Sequence, residues 1–93
     1  MNTTSFDTFR STALSEGFDE VLERVWEPHT VLDTHTHPFG VKALVTQGEM
    51  WLTVGENTQH LLPGDRFALD RDVAHAERYG AQGATYWVAR RNA

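Results

Sequence analysis

The sequence predicts an all-β barrel or sandwich preceded by one short helix, and three observations carry that expectation. Seven or eight short runs with period-two alternation follow one another along the chain. Turn residues separate them at intervals of about eight to twelve residues, the spacing of sandwiches and barrels. The long amphipathic segments that parallel crossovers require are absent, which argues against an α/β fold. Ninety-three residues leave room for one hydrophobic core, so a single domain is expected over 1–93, with the helix at about 5–16 and the barrel at about 18–90.

The helix is predicted from Thr4 as N-cap, Asp7 three residues on, and Phe6, Phe9 and Ala13 on one face, with Gly17 as its C′ residue. From Phe18 the period changes to two. Leu22, Arg24 and Trp26 share one face of a strand that Glu27-Pro28 closes. The next strand runs from Val31 to His37, with Val31, Asp33, His35 and His37 on one face and Leu32, Thr34 and Thr36 on the other. Val41–Thr46 and Met50–Val54 flank Gln47-Gly48-Glu49, which reads as a tight hairpin. Short strands at Gln59–Leu62, Arg66–Leu69 and Ala74–Tyr79 follow, and a turn at Gly80–Gly83 precedes a last strand over Ala84–Arg90. Trp51 and Trp87 fall on opposite phases of their strands, which puts at least one outside the barrel, under the helix or a partner subunit.

Composition narrows the chemistry. With no cysteine there is no disulfide framework, zinc finger or thiol nucleophile, and any metal must rest on histidine and carboxylate. Eight Lys and Arg against 13 Asp and Glu give a formal charge of −5, the wrong sign for a nucleic-acid footprint. No basic n-region or apolar h-region opens the chain and no apolar run is long enough to span a bilayer, so a cytoplasmic, membrane-free protein is expected. A domain of this size hides only about 65% of its unfolded surface. Association with a second copy would help, and a homodimer is expected.

Five histidines are the most informative residues. His35 and His37 stand at i and i+2 on one strand face, about 6.5 to 7 Å apart at the Cα. His75 lies on another strand, and in a small closed barrel all strands reach one interior. Three neutral imidazoles facing inward suit a divalent transition metal such as Fe, Mn, Ni, Cu or Zn. An isolated His-x-His pair is also an ordinary polar pair on an exposed strand. His29 and His60 adjoin turns and read as solvated loop residues.

Across Val31 to Tyr79 the chain resembles the cupin superfamily. His35-Thr36-His37-Pro38-Phe39-Gly40-Val41, with Gly48 seven residues after Val41, is similar to the first cupin motif. Gly64 through His75, with Pro63-Gly64-Asp65 before the strand and Val73-Ala74-His75 after it, is similar to the second. The resemblance implies an RmlC-like jelly roll, a double-stranded β-helix barrel with His35, His37 and His75 as metal ligands. The departures are equally specific. Val41 or Lys42 stands where the first motif has its glutamate, Asp70 and Asp72 replace the proline and glycine of the second, and Tyr79 replaces its asparagine.

Glu77 and Tyr79 share the face of His75 at i+2 and i+4. Glu77 is a candidate ligand, general base or hydrogen-bond acceptor for an imidazole, or else an exposed glutamate beside Arg78. Tyr79 is a candidate donor to substrate, or a packing residue with its hydroxyl in water. Asp33 is either a carboxylate supporting His35 or a surface residue, and Phe39 either roofs the pocket or packs in the core. The expected function is a metal-binding cupin that takes a small polar or anionic molecule and, if an enzyme, acts as a dioxygenase or isomerase. The alternatives are a ligand-sensing module similar to the cupin half of arabinose-type transcription regulators and a dimeric scaffold with a vestigial site.

Overall fold

A computed structural model describes residues 5–92. Helix α1 (Phe6–Ser15) is followed by β1 (Glu20–Trp26), β2 (Val31–His35), β3 (Gly40–Val54), β4 (Asn57–Leu61), β5 (Arg66–Leu69) and β6 (His75–Arg91). Every pairing is antiparallel. Among the described residues no helix is long and apolar enough to cross a membrane.

The helix begins one residue later than expected. Thr4 lies outside the described residues, and Ser5 is the N-cap, its side chain accepting from the Thr8 N–H at 3.1 Å. The far end follows the expectation: Gly17 has φ +96°, and the Gly17 and Phe18 N–H groups donate to the Leu14 and Ala13 carbonyls. Phe9 and Ala13 pack on Leu44 and Ala89 on the outer face of the sheet, and Trp87 meets Phe6 edge-on at 5.6 Å.

Two predicted turns prove to be bends within unbroken strands. Val41–Thr46 and Met50–Val54 do not pair with each other; both belong to β3 and both pair with β6. The register shifts between Val45 and Gln47 and again between Gly48 and Met50, where Gly80–Gly83 bulge from β6 opposite Glu49. Gly48 (φ +75°) and Gly83 (φ +67°) face each other there, and a Cβ on Gly48 would collide with the Gly83 carbonyl oxygen. A glycine-bearing bulge and a glycine-bearing hairpin look alike in sequence, so six strands replace the seven or eight expected.

The bend gives the fold its two layers. One half of the β3–β6 ladder carries β1 on the β6 side and β5 on the β3 side. The other half carries β2 and β4. Their inner faces meet in one core that includes Val45, Met50, Leu52, Phe67, Tyr79 and Val88. This is the expected all-β barrel with a short N-terminal helix.

The contact between Gly48 and Gly83 predicts unequal costs for glycine substitution. Gly48→Ala adds a collision to positive-φ strain and should lower stability by about 3 kcal/mol or more. Gly55→Ala, at φ +60° with nothing near its missing Cβ, should cost about 1 kcal/mol. Urea unfolding of the two variants checks this; equal losses would contradict the assigned bend.

Candidate metal centre

His35 and His75 are direct register partners across the β2–β6 ladder. His37 lies two residues past His35, in the loop after β2 rather than in the strand as expected. The Asp72 N–H donates to the His37 carbonyl at 2.9 Å, tying the loop that leads into His75 to the loop that bears His37. One nitrogen from each of the three rings lies within 4.8 Å of the others. An ion about 2.1 Å from each nitrogen tolerates separations up to about 4.2 Å, so small ring rotations would close the set.

A bulge, not simple alternation, aims His35 inward. The β2–β6 register shifts between Leu32 and His35, which places both residues toward the cavity with two exposed residues, Asp33 and Thr34, between them. The expected face that joined Val31, Asp33 and His35 is therefore split. Val31 and Asp33 are exposed, and what reaches His35 from Asp33 is its backbone carbonyl, 2.7 Å from Nδ1.

That carbonyl decides the tautomer. A carbonyl oxygen only accepts, so His35 carries a proton on Nδ1, and in the neutral ring Nε2 keeps its lone pair. His75 repeats the arrangement, with Nδ1 3.0 Å from the Val73 carbonyl. Both Nε2 atoms point at Glu77 Oε2, from 3.5 Å and 3.6 Å. Two imidazole nitrogens and a carboxylate oxygen thus converge, and with neutral rings they form a donor set of N and O atoms that fits a divalent cation.

Glu77 is buried, not the exposed residue beside Arg78 that was one expectation. Its other oxygen, Oε1, accepts from the Tyr79 hydroxyl at 2.5 Å and more distantly from Tyr86 at 3.4 Å. Tyr79 is likewise buried, with its hydroxyl on Glu77 and not in water. Burial, with Tyr86 and Glu77 beside it, pushes the Tyr79 phenol far above the ordinary tyrosine range. Burial and the Glu77 charge raise Tyr86 as well. His37 moves the other way: burial and then the two neighbouring imidazoles lower its pKa from 6.5, which favours the neutral, metal-binding form.

The rings and Glu77 line a cavity of about 120 Å³. His37 stacks on Phe39, centroids 4.9 Å apart, and the Arg90 guanidinium covers Phe39 from 4.8 Å, so Phe39 forms part of the cavity wall. Tyr86, Arg24 and Arg90 line it too; Tyr79 does not. Chain position alone did not single out Tyr86, Arg90 or Arg24, although the alternation grouped Arg24 with Leu22 and Trp26 on one strand face. His29 is exposed, and His60 stacks on Trp51 on the outside of the sheet with Nε2 2.9 Å from Glu49. Neither is among the three clustered histidines, and His60 lies on β4, not in the loop expected for it.

The architecture is that of the cupins. A cupin-like protein from Thermotoga maritima MSB8 matches 77% of this chain at 23% identity with a TM-score of 0.69. The DMSP lyase DddQ from Ruegeria pomeroyi DSS-3 matches 76% at 22% identity and 0.66. The polyketide cyclase RemF from Streptomyces resistomycificus matches 86% at 20% identity and 0.67. The chain spans 56%, 36% and 60% of those proteins, respectively. No protein-family model and no curated protein matches the sequence. At these identities the likeness establishes the fold, and this chain has the cupin fold with a three-histidine cluster inside it.

The two tyrosines of the chain are both raised. Unfolded, they ionise near 10; folded, they stay neutral. Their contribution to stability is therefore fully present below pH 10 and lost as the pH rises above it. Tyrosinate absorbance should appear only together with loss of near-ultraviolet circular dichroism. A phenol that titrates near pH 10 in folded protein would contradict the Tyr79–Glu77–Tyr86 arrangement.

Proposed function

We propose that the chain is a metal-binding cupin in which His35, His37 and His75 hold one divalent transition metal, with Glu77 as the carboxylate ligand that the first motif lacks. The convergence of two tautomer-fixed Nε2 atoms on Glu77 Oε2 supports this reading most directly. Glu77 sits on β6, far from the position that the motif assigns to a glutamate, yet it offers its oxygen to the same space.

A bound divalent ion would polarise an oxygen of a small polar or anionic ligand as a Lewis acid. The chain's own groups then divide the remaining work. Tyr79 holds Glu77 Oε1 by a hydrogen bond and so keeps Oε2 turned to the histidines; it acts as a positioning residue. The carbonyls of Asp33 and Val73 fix the rings of His35 and His75. Phe39 and Arg90 shield His37 from water on the stacked side. Glu77 is the group placed to take a proton from a ligand that enters the cavity. A lyase and a cyclase share this fold, which supports an enzymatic role, and the same fold serves non-catalytic proteins.

Metal content tests the proposal. Untagged protein should carry close to one transition metal per chain, and adding Fe, Mn, Ni, Cu or Zn to stripped protein should raise its melting temperature. His37→Ala should abolish that rise and His60→Ala should leave it intact. Glu77→Gln should weaken metal binding by about 10- to 100-fold. No metal and no thermal shift would refute the reading, and equal effects at His37 and His60 would refute the ligand assignment.

A further inference from the structure

Among the described residues two buried side-chain nitrogens have no hydrogen-bond partner, Trp26 Nε1 and Arg90 Nε. Both are donors, and both residues line the histidine cavity. The Tyr86 hydroxyl lies beside the Trp26 indole. Arg24 lines the same cavity, and no carboxylate lies within ion-pair distance of it among the described residues. Its guanidinium rests instead on the Trp26 ring, 4.7 Å from the centroid.

Unsatisfied buried donors are rare in folded proteins, because a group that loses water and gains no partner is destabilising. Here they cluster on the walls of one cavity, with one unpaired guanidinium and a second shared with Glu20 at 3.2 Å. Glu77 is the one carboxylate on that lining, against two arginines. With Arg90 paired to Glu20 and Glu77 held by the two phenols, the Arg24 guanidinium is the lining charge left for whatever enters. An acceptor-only, negatively charged group fits such walls, and guanidinium favours the planar carboxylate in particular. About 120 Å³ equals roughly four water volumes. That admits a short acid and excludes a nucleotide or an oligosaccharide from the interior.

We infer that the cavity takes a short-chain carboxylate, its carboxylate group held by Arg24 where the guanidinium rests on the Trp26 ring, and a hydroxyl or carbonyl oxygen directed at the histidines. The second contact rests on the metal reading above; the first stands on protein groups alone.

The test uses metal-free protein, so that it stands apart from metal binding. Propionate titrated into nitrogen-15-labelled protein should shift the Trp26 indole N–H resonance saturably, while the Trp51 and Trp87 indole resonances, on the outer faces, stay in place. Propionamide, with the same shape and no charge, should bind at least tenfold more weakly. Arg24→Met, which keeps the stem on Trp26, should lose at least tenfold in propionate affinity, and Arg24→Lys should retain more of it than Arg24→Met. No saturable shift, equal binding of propionamide, unchanged affinity in Arg24→Met, or equally effective competition by sulfate would each overturn the inference. Propionate binding to a protein that takes up no metal would leave the Arg24 contact standing and remove the metal reading together with the second contact.

Discussion

The antiparallel ladder between β3 and β6 is the constraint on which the rest of the structure depends. Both strands are long enough to run through both layers, and each bends once, where Gly48 and Gly83 meet. All four remaining strands attach to one of these two. The bend turns the inner faces of the two halves toward each other and so creates the cavity. His75, Glu77 and Tyr79 occupy β6 just before the bend, and Tyr86 and Arg90 occupy it after. One strand thus supplies a candidate ligand, the buried carboxylate, both of its phenolic hydrogen-bond donors and one cation. A register error in this ladder would misplace all of them together, since a one-residue slip turns every side chain to the other face.

The buried carboxylate organises the site as the ladder organises the fold. A lone carboxylate in an apolar interior would carry a desolvation penalty of several kcal/mol. Glu77 avoids that isolation on one oxygen only, through the two phenols. Hydrogen bonds to a charged acceptor contribute about 1.5 to 3 kcal/mol each when well formed, and the Tyr86 contact is long. The second oxygen faces imidazole lone pairs, an arrangement that favours a cation between them. Burial of the phenols and burial of the carboxylate therefore depend on each other, which is why Tyr79 faces Glu77 and not the open cavity.

Legibility in the sequence followed the length scale of the interaction. The shared face of His75, Glu77 and Tyr79 was readable because β6 is regular over those residues and period two holds. The face of β2 was misread because one bulged residue between Leu32 and His35 changes the phase, and a bulge leaves no mark in a polar run such as Asp33-Thr34. The bends at Gly48 and Gly83 were read as turns, since positive φ is common to both and only the distant pairing of β3 with β6 tells them apart. The burial of Glu77 had that shared face as its one local signal, beside the exposed Arg78; the phenols that receive it sit on its own strand two and nine residues on. His35, His37 and His75 emerged together because two strands and a loop close on one cavity.

A small barrel with this interior links occupancy to stability. A chain of 93 residues has little apolar core in reserve, yet it places three imidazoles, a carboxylate, two phenols and two guanidinium groups on or around one cavity. Each of these groups displaces apolar packing that would otherwise stabilise so small a domain. Whatever satisfies them in the native state binds only the native state, and it adds about 2.7 kcal/mol at one hundred times its dissociation constant. Against a total stability of order 5 to 15 kcal/mol, that is a large share. The same groups that displace apolar packing would make a ligand of this cavity a strong stabiliser. Melting temperature would therefore be a sensitive measure of the proposed metal and the proposed carboxylate, and variants at the histidines and at Arg24 would separate the two.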